Sequence, residues 1–126
     1  MIVRKLSDLI GTDRDVAWGN GHSRRFLLAR DGMGYSLTDT VVEAGSESLL
    51  EYTNHMEACY CIEGSGEVED MDGTIHAIEP GTMYALDRHD RHILRAKSTM
   101  RLVCVFAPAL QGGEAHNLKN GDSSHY

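Results

Sequence analysis

An antiparallel all-β domain, of the jelly-roll-like sandwich or small-barrel kind, is what this sequence predicts, on three observations. Thirteen glycines and only two prolines are spread along 126 residues. Short apolar runs end at turn residues roughly every 8–12 positions, the spacing of a sandwich or small barrel. A single short stretch, Leu6-Ser7-Asp8-Leu9-Ile10, has helical character, enough for about one turn.

The strands follow in order. Arg25 to Arg30 is apolar at its centre and stops at Asp31-Gly32, and Gly34-Tyr35-Ser36-Leu37-Thr38 opens the next stretch. Thr40-Val41-Val42 ends at Ala44-Gly45, and Ala58-Cys59-Tyr60-Cys61-Ile62 closes at Glu63-Gly64. Gly66 to Glu69 and Thr74 to Ile78 alternate around Asp72-Gly73, which predicts a two-residue hairpin turn. Thr82 to Leu86, His92 to Arg95 and Met100 to Phe106 complete the set. The last stretch, from about residue 111, holds Gly112-Gly113 and Asn120-Gly121-Asp122 and reads as a flexible C-terminal segment of a single domain spanning 1–126.

Composition narrows the function classes. A chain of this length buries roughly two thirds of its unfolded surface, enough for a core without staples. No apolar run approaches the ~20 residues of a membrane span, so no membrane partner is expected. The first residues, Met1-Ile2-Val3-Arg4-Lys5, lack a signal-peptide pattern. A net charge of −7 argues against nucleic acid, whose phosphates call for a basic face. Cys59, Cys61 and Cys104 are odd in number and lack CxxC spacing, which fits a reducing cytoplasm better than a disulfide framework. Cys104 lies in an apolar run, where a buried inert thiol is the ordinary reading.

The informative spacing lies in 45–64 and 73–92. Gly45, Glu51, Thr53, Glu57 and Gly64 stand at the offsets of the first motif of the small-barrel family called cupins. Gly73, Glu79, Gly81, Tyr84 and Arg88 stand at those of the second, with Pro80 directly before Gly81. The glycine framework resembles a cupin, while the histidine ligands of that motif are rewritten to Glu51, Thr53 and Tyr84.

The rewriting itself resembles a narrower family, the ectoine synthases. The shared stretches include Ser23-Arg24-Arg25, Gly32-Met33-Gly34-Tyr35-Ser36 and the run from Asn54 to Gly64. Pro80-Gly81-Thr82-Met83-Tyr84, Leu86 to His92 and Val103-Cys104-Val105-Phe106 continue them, in order and over most of the chain. This resemblance implies an iron(II) ion held by Glu57, Tyr84 and His92. Carboxylate, phenolate and imidazole donors suit such an ion better than thiophilic zinc. On residue type alone Tyr84 reads as a packed aromatic, Glu57 as a surface partner of His55, and His92 as a solvated loop residue; the three positions matching one family together favour the metal reading.

The resemblance also implies a reaction. A hydro-lyase would close N4-acetyl-L-2,4-diaminobutyrate into the cyclic amidine ectoine, a compatible solute, with loss of water. Tyr52, Glu114 and His116 match catalytic positions, and Arg25, Thr38, Thr40, Cys104 and Phe106 match substrate contacts. Glu114 and His116 lie in a glycine-containing segment that reads either as a lid or as a mobile polar tail. Analogy with small cupins, which bury strand edges against a second copy, implies a homodimer.

Two positions leave the family pattern. Gly21 stands where a Trp is usual, and Thr38 where Asn or His is usual. The ordinary explanation is neutral drift, or compensation for the missing indole by Trp18 from a neighbouring turn or by a partner subunit; the alternatives are a cyclase of another ω-acylamino acid and a non-catalytic cupin that binds a small molecule. Glu51 is a further candidate for the metal shell of such a variant.

Overall fold

Alternation with a period of two decides which side chains face inward. In the run Met56–Glu63, Glu57, Cys59 and Cys61 are buried while Met56 and Tyr60 are exposed, and Met100–Ala107 repeats the pattern with Met100, Leu102, Cys104 and Phe106 inside. The structure, a computed structural model, describes residues 1–116. Residues 117–126, the greater part of the predicted C-terminal segment, lie outside the described residues.

One helical turn, α1 (Leu6–Leu9), precedes ten strands: β1 (Asp15–Ala17), β2 (Gly21–Leu27), β3 (Ser36–Val42), β4 (Glu47–Leu50), β5 (Met56–Glu63), β6 (Gly66–Asp70), β7 (Ile75–Ile78), β8 (Met83–Leu86), β9 (His92–Ala96) and β10 (Met100–Ala107). They form a six-stranded sheet, in the order β1-β2-β3-β10-β5-β8, and a four-stranded sheet, β4-β9-β6-β7. Every pairing is antiparallel. The two sheets enclose one apolar core that includes Val42, Leu50, Leu94, Leu102 and Phe106. Sandwich describes this better than closed barrel.

Several details differ from the sequence reading. Strands β1 and β4 are too short to stand out by pattern. The run ending at Arg30 is strand only to Leu27, after which Ala29–Asp31 forms a 3-10 turn. The β6–β7 turn is one residue longer than the predicted Asp72-Gly73 pair. Asp70 and Thr74 still bond across it, Gly73 N–H donates to the Asp70 carbonyl, and Gly73 sits at φ +84°. A type I turn closed by a left-handed glycine is the standard three-residue alternative. The Asp70 carboxylate accepts the amides of Asp72 and Thr74 and steadies it.

Asp31 ties the N-terminal arm to this frame. Its carboxylate accepts bonds from Arg14 Nη1 and Nη2 at 2.9 and 3.0 Å, from Arg4 Nη2 at 2.9 Å and from the Leu28 amide at 2.9 Å. The Arg14 hydrogen bonds, above all, hold its carboxyl well below the usual carboxylate range. The stability from this charge is therefore present above the ordinary Asp pKa of about 4 and is lost as pH falls beneath it. Asp31→Asn is expected to cost about 2–3 kcal/mol at pH 7. That deficit should narrow steadily below about pH 4, as urea unfolding across a pH series will show. A deficit independent of pH would remove the charge from this account.

Candidate active site

Cross-strand register assembles the site. On the inner face of the six-stranded sheet, Arg25 stands opposite Thr38, Thr38 opposite Cys104, Cys104 opposite Cys59 and Cys59 opposite Tyr84. One row thus crosses β2, β3, β10, β5 and β8. The next row contains Ser36, Phe106, Glu57 and Leu86. From the facing sheet, His92 pairs with Leu50 at the end of β4, two residues before Tyr52.

These elements surround a small cavity of about 30 Å³, room for roughly one water. Thr40, Tyr52, Glu57, Tyr84, Cys104 and His116 all line it. Phe106 meets the Tyr52 ring edge-on with centroids 5.3 Å apart, and Tyr52 Oη lies 3.4 Å from His116 Nε2. His92 borders a wider outer cleft of about 510 Å³ at the rim between β7 and β8, and Tyr84, which lines both spaces, stands between them. Thr38 is fully buried and lines neither space, its hydroxyl 3.0 Å from that of Thr40. Glu51 is half-buried and lines neither space.

Arg25, 1% exposed, donates to the carbonyls of Gly112 at 2.9 Å and Glu114 at 2.5 Å. The Glu114 carboxylate accepts the amides of Gln111 and Gly112 at 2.7 and 2.8 Å, and the His116 amide donates to the Trp18 carbonyl at 2.9 Å. Residues 112–116 thereby form a strap across the cavity, carrying His116 into it. Glu114 itself turns back on the strap and does not line the cavity. Its carboxyl is burdened by burial, yet these amides and Arg25 hold it below the usual range.

Burial governs the protonation of the cavity groups. It pushes the Glu57 carboxyl up to about 8, although the thiols of Cys59 and Cys104 donate to it and pull the other way. Burial, reinforced by the acidic neighbours Cys59 and Glu57, pushes Tyr84 well above the ordinary tyrosine value. His116 is pushed down to about 3, chiefly by burial and then by the charge of Arg25, so its imidazole is neutral. Burial lowers His92 also.

A cation suits this environment. Uncompensated negative charge is costly among these acidic donors, and a cation reverses that cost. His92 Nδ1 lies 2.8 Å from the Asp90 carbonyl, which requires the proton on Nδ1 and leaves the lone pair on Nε2. That Nε2 is buried and has no hydrogen-bond partner among the described residues. A neutral imidazole oriented by a carbonyl behind it is the usual arrangement of a metal-ligating histidine. The donor types of Glu57, Tyr84 and His92 and the free Nε2 of His92 are compatible with a metal ion. A carboxylate oxygen of Glu57 also lies within 4.8 Å of both Cys59 Sγ and Cys104 Sγ.

Three features were not assigned a role from the sequence. Cys59 faces the cavity because it shares a strand face with Glu57, a signal that was present in their two-residue spacing. His89 Nδ1 contacts the Tyr52 and His55 carbonyls at 2.8 and 3.1 Å, and His55 Nδ1 contacts the Pro108 carbonyl at 2.7 Å. These two histidines hold the turn that carries Tyr52, and nothing local in the sequence marks such long-range bonds.

The sandwich, with a cavity lined by carboxylate, phenol and imidazole groups between its sheets, is that of a cupin. A cupin from Shewanella frigidimarina superposes with TM-score 0.63 at 18% identity, over 75% of this chain and 83% of that one, a likeness of fold. The chain belongs to the ectoine synthase family, a family of hydro-lyases: the family profile matches residues 1–124. It is 54% identical over 122 residues to L-ectoine synthase of Halalkalibacterium halodurans, covering 96% of this chain and 94% of that protein. The crystal structure of ectoine synthase from P. lautus superposes with TM-score 0.86 at 54% identity, over 89% of this chain and 81% of that one.

The missing indole at Gly21 has a structural answer. Trp18, 4% exposed, lines the cavity, packs edge-on against His116 at 5.7 Å and donates Nε1–H to the Val41 carbonyl at 3.0 Å. A Cβ at Gly21 would run into that same carbonyl, so no side chain fits there without moving β3. Trp18→Ala is expected to destabilise the protein by about 3–5 kcal/mol and to raise the apparent KM, while Trp18→Phe does less of both. Gly21→Ala should lower Tm without the selective KM effect. Thermal melting with steady-state kinetics checks both, and a Trp18→Ala protein with unchanged KM would remove the indole from the binding wall.

Proposed function

We propose that this chain is a metal-dependent cyclase that converts N4-acetyl-L-2,4-diaminobutyrate to ectoine and water, in the cytoplasm, with iron(II) held by Glu57, Tyr84 and His92. The observation that carries the reading is the convergence of Thr40, Tyr52, Glu57, Tyr84, Cys104 and His116, all matching family positions, on one cavity. Both departures from the family pattern lose force as signs of another substrate. Trp18 supplies an aromatic wall, and Thr38 lies behind Thr40 rather than on the cavity surface.

In the reaction the free amine attacks the acetamide carbon within the same molecule. A nitrogen–carbon bond forms, the carbon–oxygen bond breaks, and the oxygen departs as water with two of the three nitrogen-borne protons. Bound by the three ligands, a divalent ion supplies Lewis acidity toward the acetamide oxygen, which an amide needs as a poor electrophile. The apolar walls formed by Trp18, Leu50 and Leu102 fold the flexible substrate toward the attacking conformation and keep water out, while Phe106 packs against the Tyr52 ring. His116 Nε2, 3.4 Å from Tyr52 Oη, forms with that hydroxyl a path along which a proton passes to or from the substrate. Thr40 hydrogen-bonds the substrate, and Arg25 binds its carboxylate. Because the cavity holds only about one water, the strap at 112–116 must lift to admit the substrate, and Glu114 steadies it on return.

Incubating purified protein with the substrate and ferrous ion, with ectoine read by NMR, tests the reaction. Alanine at Glu57 or His92, or phenylalanine at Tyr84, should reduce bound iron and activity together by at least the roughly 10–100-fold that follows loss of an outer-shell contact. Full iron occupancy in Tyr84→Phe would remove tyrosine from the ligand set. Undiminished turnover after verified metal removal would leave an acid–base mechanism built on Tyr52 and His116.

The homodimer reading is supported by the outer face of the six-stranded sheet. Met56, Tyr60, Met83 and Val105 are exposed there, and Val105, Ala58 and Ala85 form a cross-strand apolar row. A contiguous apolar face of this kind needs a cover, and a second copy provides a matching one. Sedimentation should give a dimer for wild type and a monomer for Tyr60→Lys combined with Met83→Lys. A wild-type monomer at micromolar concentration would end this reading.

A further inference from the structure

Cys59 and Cys104 face each other directly in the β5–β10 ladder, their Sγ atoms 3.4 Å apart, and each is 2% exposed. Glu57, two residues before Cys59 on the same strand face, brings a carboxylate oxygen within 4.8 Å of both sulfurs. Three potential ligands thus converge from two hydrogen-bonded strands, and the register that seats them allows little freedom. We infer that Glu57, Cys59 and Cys104 form a second donor set, selective for a thiophilic divalent cation such as cadmium(II) or zinc(II), which competes for Glu57 with the oxygen-and-nitrogen set.

The geometry is close to what such an ion requires. Two sulfurs about 2.3 Å from a tetrahedral ion stand about 3.8 Å apart, and a small rotation of either side chain opens the observed pair to that spacing. Two thiolates and a carboxylate make a soft, dianionic-plus-anionic set that favours d¹⁰ ions, whereas carboxylate, phenolate and imidazole favour harder ones. Binding releases one proton from each thiol to solvent and forms two metal–sulfur bonds; no oxidant or reductant is involved. The site lies inside the sandwich, where an ion pair is little screened. Cys61 stands outside the set, since its thiol donates instead to the carbonyls of Glu63 and Gly64 at 3.3 and 3.7 Å. Sharing Glu57 means that one ion excludes the other. The thiol set shares Glu57 with the proposed iron site and uses neither Tyr84 nor His92, so variants at those two residues test the iron assignment separately.

Reduced, metal-free, full-length protein titrated with cadmium(II) gives the test, read by thiolate-to-metal charge-transfer absorption in the near ultraviolet. Wild type should take up a single cadmium with the absorption of two thiolates. Cys59→Ser and Cys104→Ser should each weaken cadmium binding by more than about tenfold and halve or abolish the band, while Cys61→Ser and His92→Gln keep it. Circular dichroism on each variant separates loss of a ligand from loss of fold. A folded wild type that binds cadmium without thiolate absorption would overturn the inference on its own, as would a full band in both folded Cys59→Ser and Cys104→Ser proteins. In iron-loaded protein, cadmium should release iron one for one; retention of one iron beside one thiolate-bound cadmium would overturn the sharing of Glu57. If instead Tyr84→Phe keeps its iron while the cadmium band persists, the iron assignment fails and the thiol set stands.

Discussion

The register of β10 between β3 and β5 is the constraint on which the rest of the site depends. β10 is the strand through which Thr38, Cys104, Cys59 and Tyr84 come into one line and Ser36, Phe106, Glu57 and Leu86 into the next. Because side chains alternate, a slip of one residue would turn Cys104 and Phe106 to solvent and bring Val103 and Val105 inward. The apolar inner face prevents that slip: Met100 and Leu102 are buried on the same side and hold the strand in place. A core-packing requirement therefore fixes the chemistry of the cavity. The bulge between Arg101 and Leu102 falls at the start of the pairing with β5, before the rows that carry the site, and so leaves them undisturbed.

The cavity is a costly feature of this core. A carboxyl, a phenol and two thiols occupy space that apolar side chains would fill with no desolvation penalty. Their protonated forms make the fold tolerable in the absence of a cation, and the thiol hydrogen bonds to Glu57 offset part of the cost. Ion-pair hubs on the outer side add stability to that of the apolar core. Asp31 joins Arg4 and Arg14, while Asp39 joins Arg24 at 2.7 Å and Arg101 at 2.6 Å. Burial alone would raise the Asp39 carboxyl, but the hydrogen bonds from Arg101 and Arg24 hold it low. Both hubs lie on the six-stranded side or its N-terminal arm, where they brace the sheet that carries most of the cavity residues.

What was legible in the sequence was what acts locally or repeats a family pattern. Alternating runs marked most strands, and the glycine frame around Glu57 and Tyr84 marked the class of fold. Short strands such as β1 and β4 were not legible, since three or four residues carry too little pattern to stand out. The extra residue in the β6–β7 turn was not legible either, because Asp-Gly suits both the two-residue and the three-residue turn. Trp18 was visible as a substitute for an indole at Gly21, but the reason Gly21 must stay bare is a carbonyl on β3, twenty positions away. The opposition of Cys59 and Cys104 was hidden for the same cause. Each thiol reads alone as an inert core residue, and only the pairing of strands 45 positions apart makes them neighbours.

Arg25 shows how such distant pairings bear on function. Its guanidinium is buried on the inner face of β2, and it reaches across 87 and 89 positions to the carbonyls of Gly112 and Glu114. A buried cation without an anion is expensive, and here backbone dipoles and the Glu114 carboxylate, 3.7 Å away, offset its charge. Neutral carbonyls are weaker partners than a carboxylate in a dry site. If Arg25 receives the substrate carboxylate, as proposed above, the incoming anion competes with those carbonyls for the same donors and loosens the strap that closes the cavity. Closure then requires the strap to find a second mode of attachment, and anchors at its other end are the His116 amide, which donates to the Trp18 carbonyl, and the His116 ring beside Tyr52. The same Trp18 whose ring replaces the absent indole thus also tethers the segment that carries His116 into the cavity. Substrate binding, strap attachment and the aromatic wall are in this way linked through one arginine and one tryptophan.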